Sequence, residues 1–350
     1  MERLKSIQML RGIAAMLVVF HHFMQQFYNF EKTNVIGDFF SYYGKFGVDI
    51  FFVLSGFIMG YTLLSKNKSA SEFLKGRIYR ILPPYYFFTL VILVFGMIFE
   101  GIHSSSASLE TVFKSLLFIP HENPDINIGV YPTLTVGWTL NLEMFFYITL
   151  YLLLLTPLKA LNKLLFTCCL FIGLPILYIA LNFNIYVSVA GNLRLSEFSF
   201  GILIAILFVY NIKLFKSFWL TSPAVLLLLI VCFIEMPTII CDVFISSLIV
   251  YFSLLIGMKT NYSNRYLEYL GKISYSIYLT HSVVILSIWL ISPELSTHFN
   301  VMIALLLTVL ITIAISHASY EYIEIRFSRF LTKITFDDFS AIKPRRNLNK

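Results

Sequence analysis

The chain has 350 residues, of which 58% are hydrophobic and only 13% are charged, and its mean hydropathy is +0.80. So few charged side chains cannot cover the surface of a water-soluble domain, and the same numbers exclude disordered and fibrous proteins. A formal net charge of +7 would favour nucleic acid as a partner of a soluble protein. In a membrane protein the positions of the charges along the chain are more informative than the net charge, and we expect no nucleic-acid partner.

Ten segments are apolar enough to cross a bilayer as helices, which takes about 20 residues each. In chain order they are 7–25, 46–64, 82–99, 137–156, 164–182, 195–210, 218–235, 238–257, 271–292 and 299–321. The first lies where a signal peptide would, but it contains Arg11, His21 and His22, so we interpret it as a retained signal-anchor helix. The sequence thus predicts an all-α polytopic membrane protein with one domain at 1–325 and a basic tail at 326–350.

The distribution of Lys and Arg predicts the orientation, because these residues concentrate in cytoplasmic loops. With the N-terminus inside, the cytoplasmic segments contain 21 of the 26 Lys and Arg residues, the outer segments contain four, and Arg11 lies within a helix. We therefore expect a multi-pass protein of the plasma or inner membrane with both termini in the cytoplasm. The outer segment 100–136 is too long to be a simple connection.

Ionisable side chains inside membrane helices are costly and therefore indicate functional positions. Arg11 and His22 are eleven residues apart, which places them on one helix face with a rise of about 16 Å between them. Alternatively, Arg11 snorkels to one interface while His22 lies at the other. Glu143 is predicted at the depth of His22, with Tyr147 one turn further on the same face. This combination fits a general base with an orienting carboxylate, or else a charged tether between helices.

Other polar residues are predicted within or at the ends of the helices. Six of them are candidates for the substrate side of a site, namely Asp49, Asn141, Trp138, Arg194, Glu197 and His281. Arg194 and Glu197 could instead pair with each other, and His281 could be a core histidine bonded to a hydroxyl. On the inner side, Arg77 and Arg80 are helix neighbours that suit a phosphate clamp, although each would also fit the positive-inside bias. The cysteines lack metal-ligand spacing, so we expect no metal site.

Together these stretches resemble acyltransferase family 3, a family of integral membrane acyltransferases. The resemblance runs over residues 5–325 and consists of Leu10-Arg11-Gly12 with His22, Gly47-Val48 with Phe51-Phe52 and Ser55-Gly56-Phe57, Arg77 with Arg80, Glu143 with Tyr147, Arg194 with Glu197-Phe198, and Tyr275 with Tyr278 and His281. Each motif is short, but the six in this order are specific. The opening stretch 5–12 is similar to the exopolysaccharide acyltransferase branch.

The resemblance implies transfer of an acyl group, usually acetyl, from cytoplasmic acyl-CoA to a sugar hydroxyl of a surface or lipid-linked polysaccharide. Acetyl-CoA is then a co-substrate, and no cofactor is permanently bound. The implied catalytic residues are His22, Glu143, Arg11 and Tyr147, and the implied donor-binding residues are Arg77 and Arg80. Both direct transfer and an acyl-histidine intermediate remain open.

The expected partners are acyl-CoA, a polysaccharide and the lipid bilayer. Many relatives carry an extracytoplasmic esterase-like domain, and this chain resembles the members without it. A transporter or flippase of a glycan or small anion is the alternative, because charged groups in a membrane also mark substrate paths. Repeated halves with broken helices would favour a transporter, and the sequence shows neither clearly.

Overall fold

The structure, a computed structural model, describes residues 5–31, 33–66, 68–99, 108–123, 130–183, 189–210, 238–260, 262–291 and 298–331. This part of the chain contains twelve α-helices and no β-strand. The helices are α1 Lys5–Tyr28, α2 Val35–Tyr43, α3 Phe46–Ser65, α4 Ala70–Ile98, α5 Leu109–Leu116, α6 Trp138–Leu154, α7 Ala160–Ala180, α8 Leu195–Tyr210, α9 Thr238–Thr260, α10 Arg265–Lys272, α11 Ser274–Ile291 and α12 His298–Ser319. A 3-10 turn, Thr135–Gly137, precedes α6, and a π-helix, Tyr320–Phe327, follows α12.

Within the described ranges, eight helical segments are long and apolar enough to cross a membrane, and α8 is a shorter apolar helix. These nine helices coincide with nine of the ten predicted spans, while the predicted span 218–235 lies outside the described residues. The prediction of an all-α polytopic membrane protein is confirmed. The short helices α2, α5 and α10 connect spans and were not predicted.

The helix that contains the predicted span 82–99, α4, begins twelve residues earlier, at Ala70, and passes through two prolines. Its start is a capping box, in which the Ser69 hydroxyl accepts from the Glu72 amide and the Glu72 carboxylate accepts from the Ser69 amide. Pro83 cannot donate to the carbonyl of Tyr79, and that carbonyl accepts a 2.5 Å hydrogen bond from the Ser328 hydroxyl instead. The segment with Arg77 and Arg80 is therefore helical and continuous with the span.

The last span is also longer than predicted. The helical backbone continues from α12 through the π-helix to Leu331, whereas the sequence predicted an end at residue 321. The bond from Ser328 to Tyr79 joins this end of the chain to α4. The π-helix is thereby held beside the proline-containing segment of α4.

The helices α3 and α8 pack closely because glycines lie at their crossing point. A Cβ atom on Gly201 would lie 2.1 Å from the carbonyl oxygen of Val53, and one on Gly56 would lie 2.1 Å from the carbonyl oxygen of Phe198. Small residues allow such backbone contact between membrane helices. On its other side, α3 packs against α1, which in turn contacts α10 and α11.

We expect Gly201→Ala to lower the stability of the folded protein, because the added methyl group collides with backbone atoms that cannot rotate away. Overpacking of this kind costs about 3 kcal/mol at its upper end. Gly173 in α7 is a matched control, since a Cβ atom there would meet no other atom within 4 Å. Gly173→Ala should be neutral or stabilising, by up to about 1 kcal/mol. Thermal unfolding in detergent measures both, and equal melting temperatures for the two variants would contradict the prediction.

Candidate functional site

A cavity of about 90 Å³ lies between α1, α3, α4, α6 and α11. It follows α3 from Val48 to Met59, a distance of about 16 Å along a helix axis. Most of its wall is apolar. The polar side chains that line it are Arg11, Ser55, Arg77, Arg80, Thr139, Glu143, Tyr147, Ser274, Tyr275 and Tyr278. Its length and narrow apolar walls suit an extended, chain-like ligand.

The charged residues of this cavity are three arginines and one glutamate. Arg11 donates to the Ser274 hydroxyl at 2.9 Å, and the guanidinium of Arg77 lies 5.9 Å from the centroid of the Tyr147 ring. With Arg80 and Glu143, the lining carries a formal charge of +2, and the Glu324 carboxylate, which lies against Arg80 outside the lining, lowers the charge of the site to +1. Because uncompensated charge is costly in a low-dielectric region, the cavity favours an anionic ligand.

Glu143 is bound inside the cavity by two hydroxyl groups. Its Oε1 accepts a 3.1 Å hydrogen bond from Ser55 and a short one from Tyr147. Tyr147 lies one turn after Glu143 on the same face, as the spacing predicted. Five of the six residues with a predicted catalytic or donor-binding role therefore line this cavity, namely Arg11, Arg77, Arg80, Glu143 and Tyr147. His22 is the exception.

His22 lies in a separate cluster of imidazole rings. Its Nδ1 donates to the Gln25 Oε1 at 2.8 Å, and its ring stacks on that of His281 with centroids 5.2 Å apart. No hydrogen bond joins Glu143 to His22 within the described residues. The predicted pairing of these two side chains is therefore not observed, because α6 turns its carboxylate toward α3 and the arginines.

Tyr278 and His281 connect the cavity to His22. Tyr278 lines the cavity, donates to the Val136 carbonyl at 2.8 Å, and has its ring centroid 5.7 Å from that of His281. His281 is bonded to the Ile277 carbonyl at 3.2 Å and not to a hydroxyl, contrary to the alternative raised from sequence. Its Nε2 is fully buried and has no hydrogen-bond partner among the described residues.

A second charged cluster joins α3, α8 and α9 at the end where α3 begins. Arg194 donates to Asp49 Oδ1 at 2.9 Å, and Lys45 donates to Asp242 at 2.8 Å. Arg194 thus pairs with Asp49 and not with Glu197, whose carboxylate oxygens have no hydrogen-bond partner in the described part of the chain. A buried pair of this kind ties two helices together, and breaking it costs about 3–5 kcal/mol.

The six substrate-side candidates do not line the cavity. Trp138 lies beneath the Arg194 guanidinium, 5.6 Å from it, and Asn141 is buried with its Oδ1 unpaired among the described residues. Trp138 therefore belongs to the surroundings of the Asp49–Arg194 pair, and Asn141 to the buried side of α6. Their position supports packing roles more directly than contact with a ligand in this cavity.

Sequence reasoning gave no role to Gln25, Ser274 or Glu324, all of which contact predicted site residues. Gln25 follows His22 by three residues, so helical spacing alone could have identified it. Ser274 and Glu324 come from helices far away in sequence from Arg11 and Arg80, and no local pattern could have shown those contacts.

Comparison with known proteins gives a consistent result. A profile described as an acyltransferase domain matches residues 4–317. Over 104 residues the chain is 40% identical to the exopolysaccharide production protein ExoZ of Rhizobium meliloti (strain 1021). The aligned region is 30% of this chain and 32% of that protein. The match therefore spans about a third of the relative's length. No solved structure matches. Because the profile covers nearly the whole chain, including all helices that line the cavity, the protein belongs to acyltransferase family 3.

Proposed function

We propose that the protein transfers an acyl group, most simply acetyl, from cytoplasmic acyl-CoA to a sugar hydroxyl of an extracytoplasmic or lipid-linked polysaccharide. The observation that carries this proposal is the elongated cavity with Arg11, Arg77 and Arg80 in its wall. CoA combines phosphate groups, which guanidinium groups bind well, with a narrow extended arm that suits apolar walls. The exopolysaccharide role in the name of the partial relative supports a polysaccharide acceptor.

The orientation proposed from the Lys and Arg distribution agrees with this direction of transfer. Arg77 and Arg80 lie in the first half of α4, on the side where α1 begins, which the distribution assigns to the cytoplasm. His22 lies toward the other end of α1. Acyl-CoA would thus enter at the arginines, and the acceptor would approach from the side of His22.

In the proposed reaction, the acceptor hydroxyl oxygen attacks the thioester carbonyl carbon. The carbon–oxygen bond forms, the carbon–sulfur bond breaks, and the hydroxyl proton ends on the sulfur of CoA. We assign His22 as the general base that takes this proton and returns it to the thiolate. Because Nδ1 of His22 donates to Gln25, its Nε2 keeps a free lone pair for this task. Arg11 lies about 16 Å from His22 along α1 and Tyr147 lies beside Arg77, so these two side chains would stabilise charge along the CoA arm.

The geometry adds one requirement to this scheme. Tyr278 lies between the cavity and the stacked rings of His281 and His22. For His22 to reach the hydroxyl while it attacks the thioester, the acyl end of the donor must come to the Tyr278 end of the cavity.

The test is a transfer assay with full-length protein in proteoliposomes, radiolabelled acetyl-CoA and purified polysaccharide. We expect label to appear in the polysaccharide and to be released by mild alkali, as an ester would be. Glycan transport without consumption of acetyl-CoA would instead support the transporter alternative. Failure to transfer acetyl and to hydrolyse acetyl-CoA would contradict the proposal.

A further inference from the structure

The π-helix brings a carboxylate to one of the three cavity arginines. Oε1 of Glu324 lies 3.5 Å from Nε of Arg80, and Oε2 accepts a 3.2 Å hydrogen bond from the Ser276 hydroxyl. The Glu324 side chain is only 7% exposed, against 35% for that of Arg80. Arg80 lines the cavity and Glu324 does not, so the carboxylate contacts the guanidinium from outside the cavity lining.

Two features of the backbone hold this pair in place. The chain leaves regular α-helical geometry at Tyr320, and wide π-turns are frequent at functional sites. Just after the π-helix, the Ser328 hydroxyl bonds to the Tyr79 carbonyl, next to Arg80 in sequence. That carbonyl is available because Pro83 has no N–H group. The hydrogen bond between Ser328 and Tyr79 therefore joins the two helical segments that carry Glu324 and Arg80.

The consequence for a bound phosphate follows from simple electrostatics. A phosphate on Arg80 and the Glu324 carboxylate would be two anions on the same guanidinium, and their repulsion in a low-dielectric region is large. Free CoA keeps every phosphate of acyl-CoA, so a clamp that binds the donor tightly also retains the product. Such uniform binding does not accelerate turnover. A competing carboxylate weakens the hold on CoA and leaves Arg80 paired once CoA has left.

We infer that Glu324 competes with a CoA phosphate for Arg80 and thereby promotes release of CoA after transfer. The inference rests on the proposed function, since it takes the ligand of Arg80 to be CoA. A purely positioning role for Glu324, in which it orients Arg80 toward the phosphate, makes the opposite prediction for CoA affinity. The sign of the change thus separates the two roles.

The experiment measures CoA binding to full-length protein in nanodiscs by isothermal titration calorimetry. We expect Glu324→Gln to tighten CoA binding by about tenfold, because the amide keeps the shape and removes the charge. It should slow CoA dissociation and lower multiple-turnover kcat, while a single turnover proceeds at the normal rate. In an Arg80→Ala background the same change should leave CoA affinity unaltered. Glu321→Gln, in the same π-helix, is the matched control and should bind CoA like the wild type.

Weaker or unchanged CoA binding by folded Glu324→Gln would overturn the inference and favour a positioning or structural role. If that variant does not fold, Glu324→Asp retains the buried charge but withdraws it from Arg80 by one methylene. Glu324→Asp should then tighten CoA binding by less than the change of about tenfold expected for Glu324→Gln. Weaker or unchanged CoA binding by Glu324→Asp would also overturn the inference. Absence of CoA binding by the wild type would refute the proposed donor itself, and with it this inference.

Discussion

Replacement of His22 by alanine is expected to reduce acyl transfer about 10²–10⁴-fold, the usual contribution of a general base. The variant should retain its affinity for CoA, because His22 does not line the cavity that contains Arg77 and Arg80. Insertion and folding should also be retained, since alanine is a good helix former. The measurement is the rate of acetyl transfer to polysaccharide at matched membrane expression, together with the Kd for CoA.

His21→Ala is the matched control for this experiment. The two histidines are adjacent, but Nδ1 of His21 lies 3.2 Å from the carbonyl of Phe40 in α2, whereas His22 stacks on His281. We therefore expect His21→Ala to cause a mild loss of activity. Near-normal transfer by His22→Ala, or a larger defect in His21→Ala, would remove His22 from the proposed chemistry. The Nε2 of His281, which has no hydrogen-bond partner among the residues that the structure describes, would then be the next base to test.

The double variant Arg77→Ala with Arg80→Ala is expected to lose most of its affinity for CoA. Each charge-assisted contact contributes about 1.5–3 kcal/mol, so losing two should weaken binding by a factor on the order of 10²–10⁴. Lysine at either position should restore affinity only in part, because an ammonium group cannot form the two parallel hydrogen bonds of a guanidinium. Isothermal titration of CoA measures each variant.

Two controls make this result interpretable. Arg265→Ala removes an arginine that lies in α10, outside the cavity, and should leave CoA binding unchanged. Loss of Arg80 also leaves the Glu324 carboxylate without its partner, which by itself can destabilise the protein. The triple variant with Glu324→Gln removes that unpaired charge. If CoA binds equally well when both arginines are absent and the protein is folded, the proposed donor site is wrong.

The sequence by itself determined the class of protein and the approximate position of each described membrane helix. Apolar length is a local property, and a helix in lipid satisfies its own backbone hydrogen bonds, so segments such as 46–64 could be located without knowing their neighbours. Helical periodicity likewise placed Tyr147 beside Glu143. The motif resemblance identified the family, which the profile match over residues 4–317 confirms.

The tertiary structure decided which polar groups meet. Arg194 could pair with Glu197 by spacing, yet it pairs with Asp49, which is 145 residues away, because α3 and α8 cross at glycines. The continuity of α4 through Pro83 is likewise tertiary, because the Ser328 hydroxyl supplies the hydrogen bond to the Tyr79 carbonyl that proline cannot donate. His22 and Glu143 share a predicted depth, but depth does not specify the direction in which a helix turns its side chains. That direction depends on packing between distant helices, and it places Glu143 among the arginines and His22 against His281.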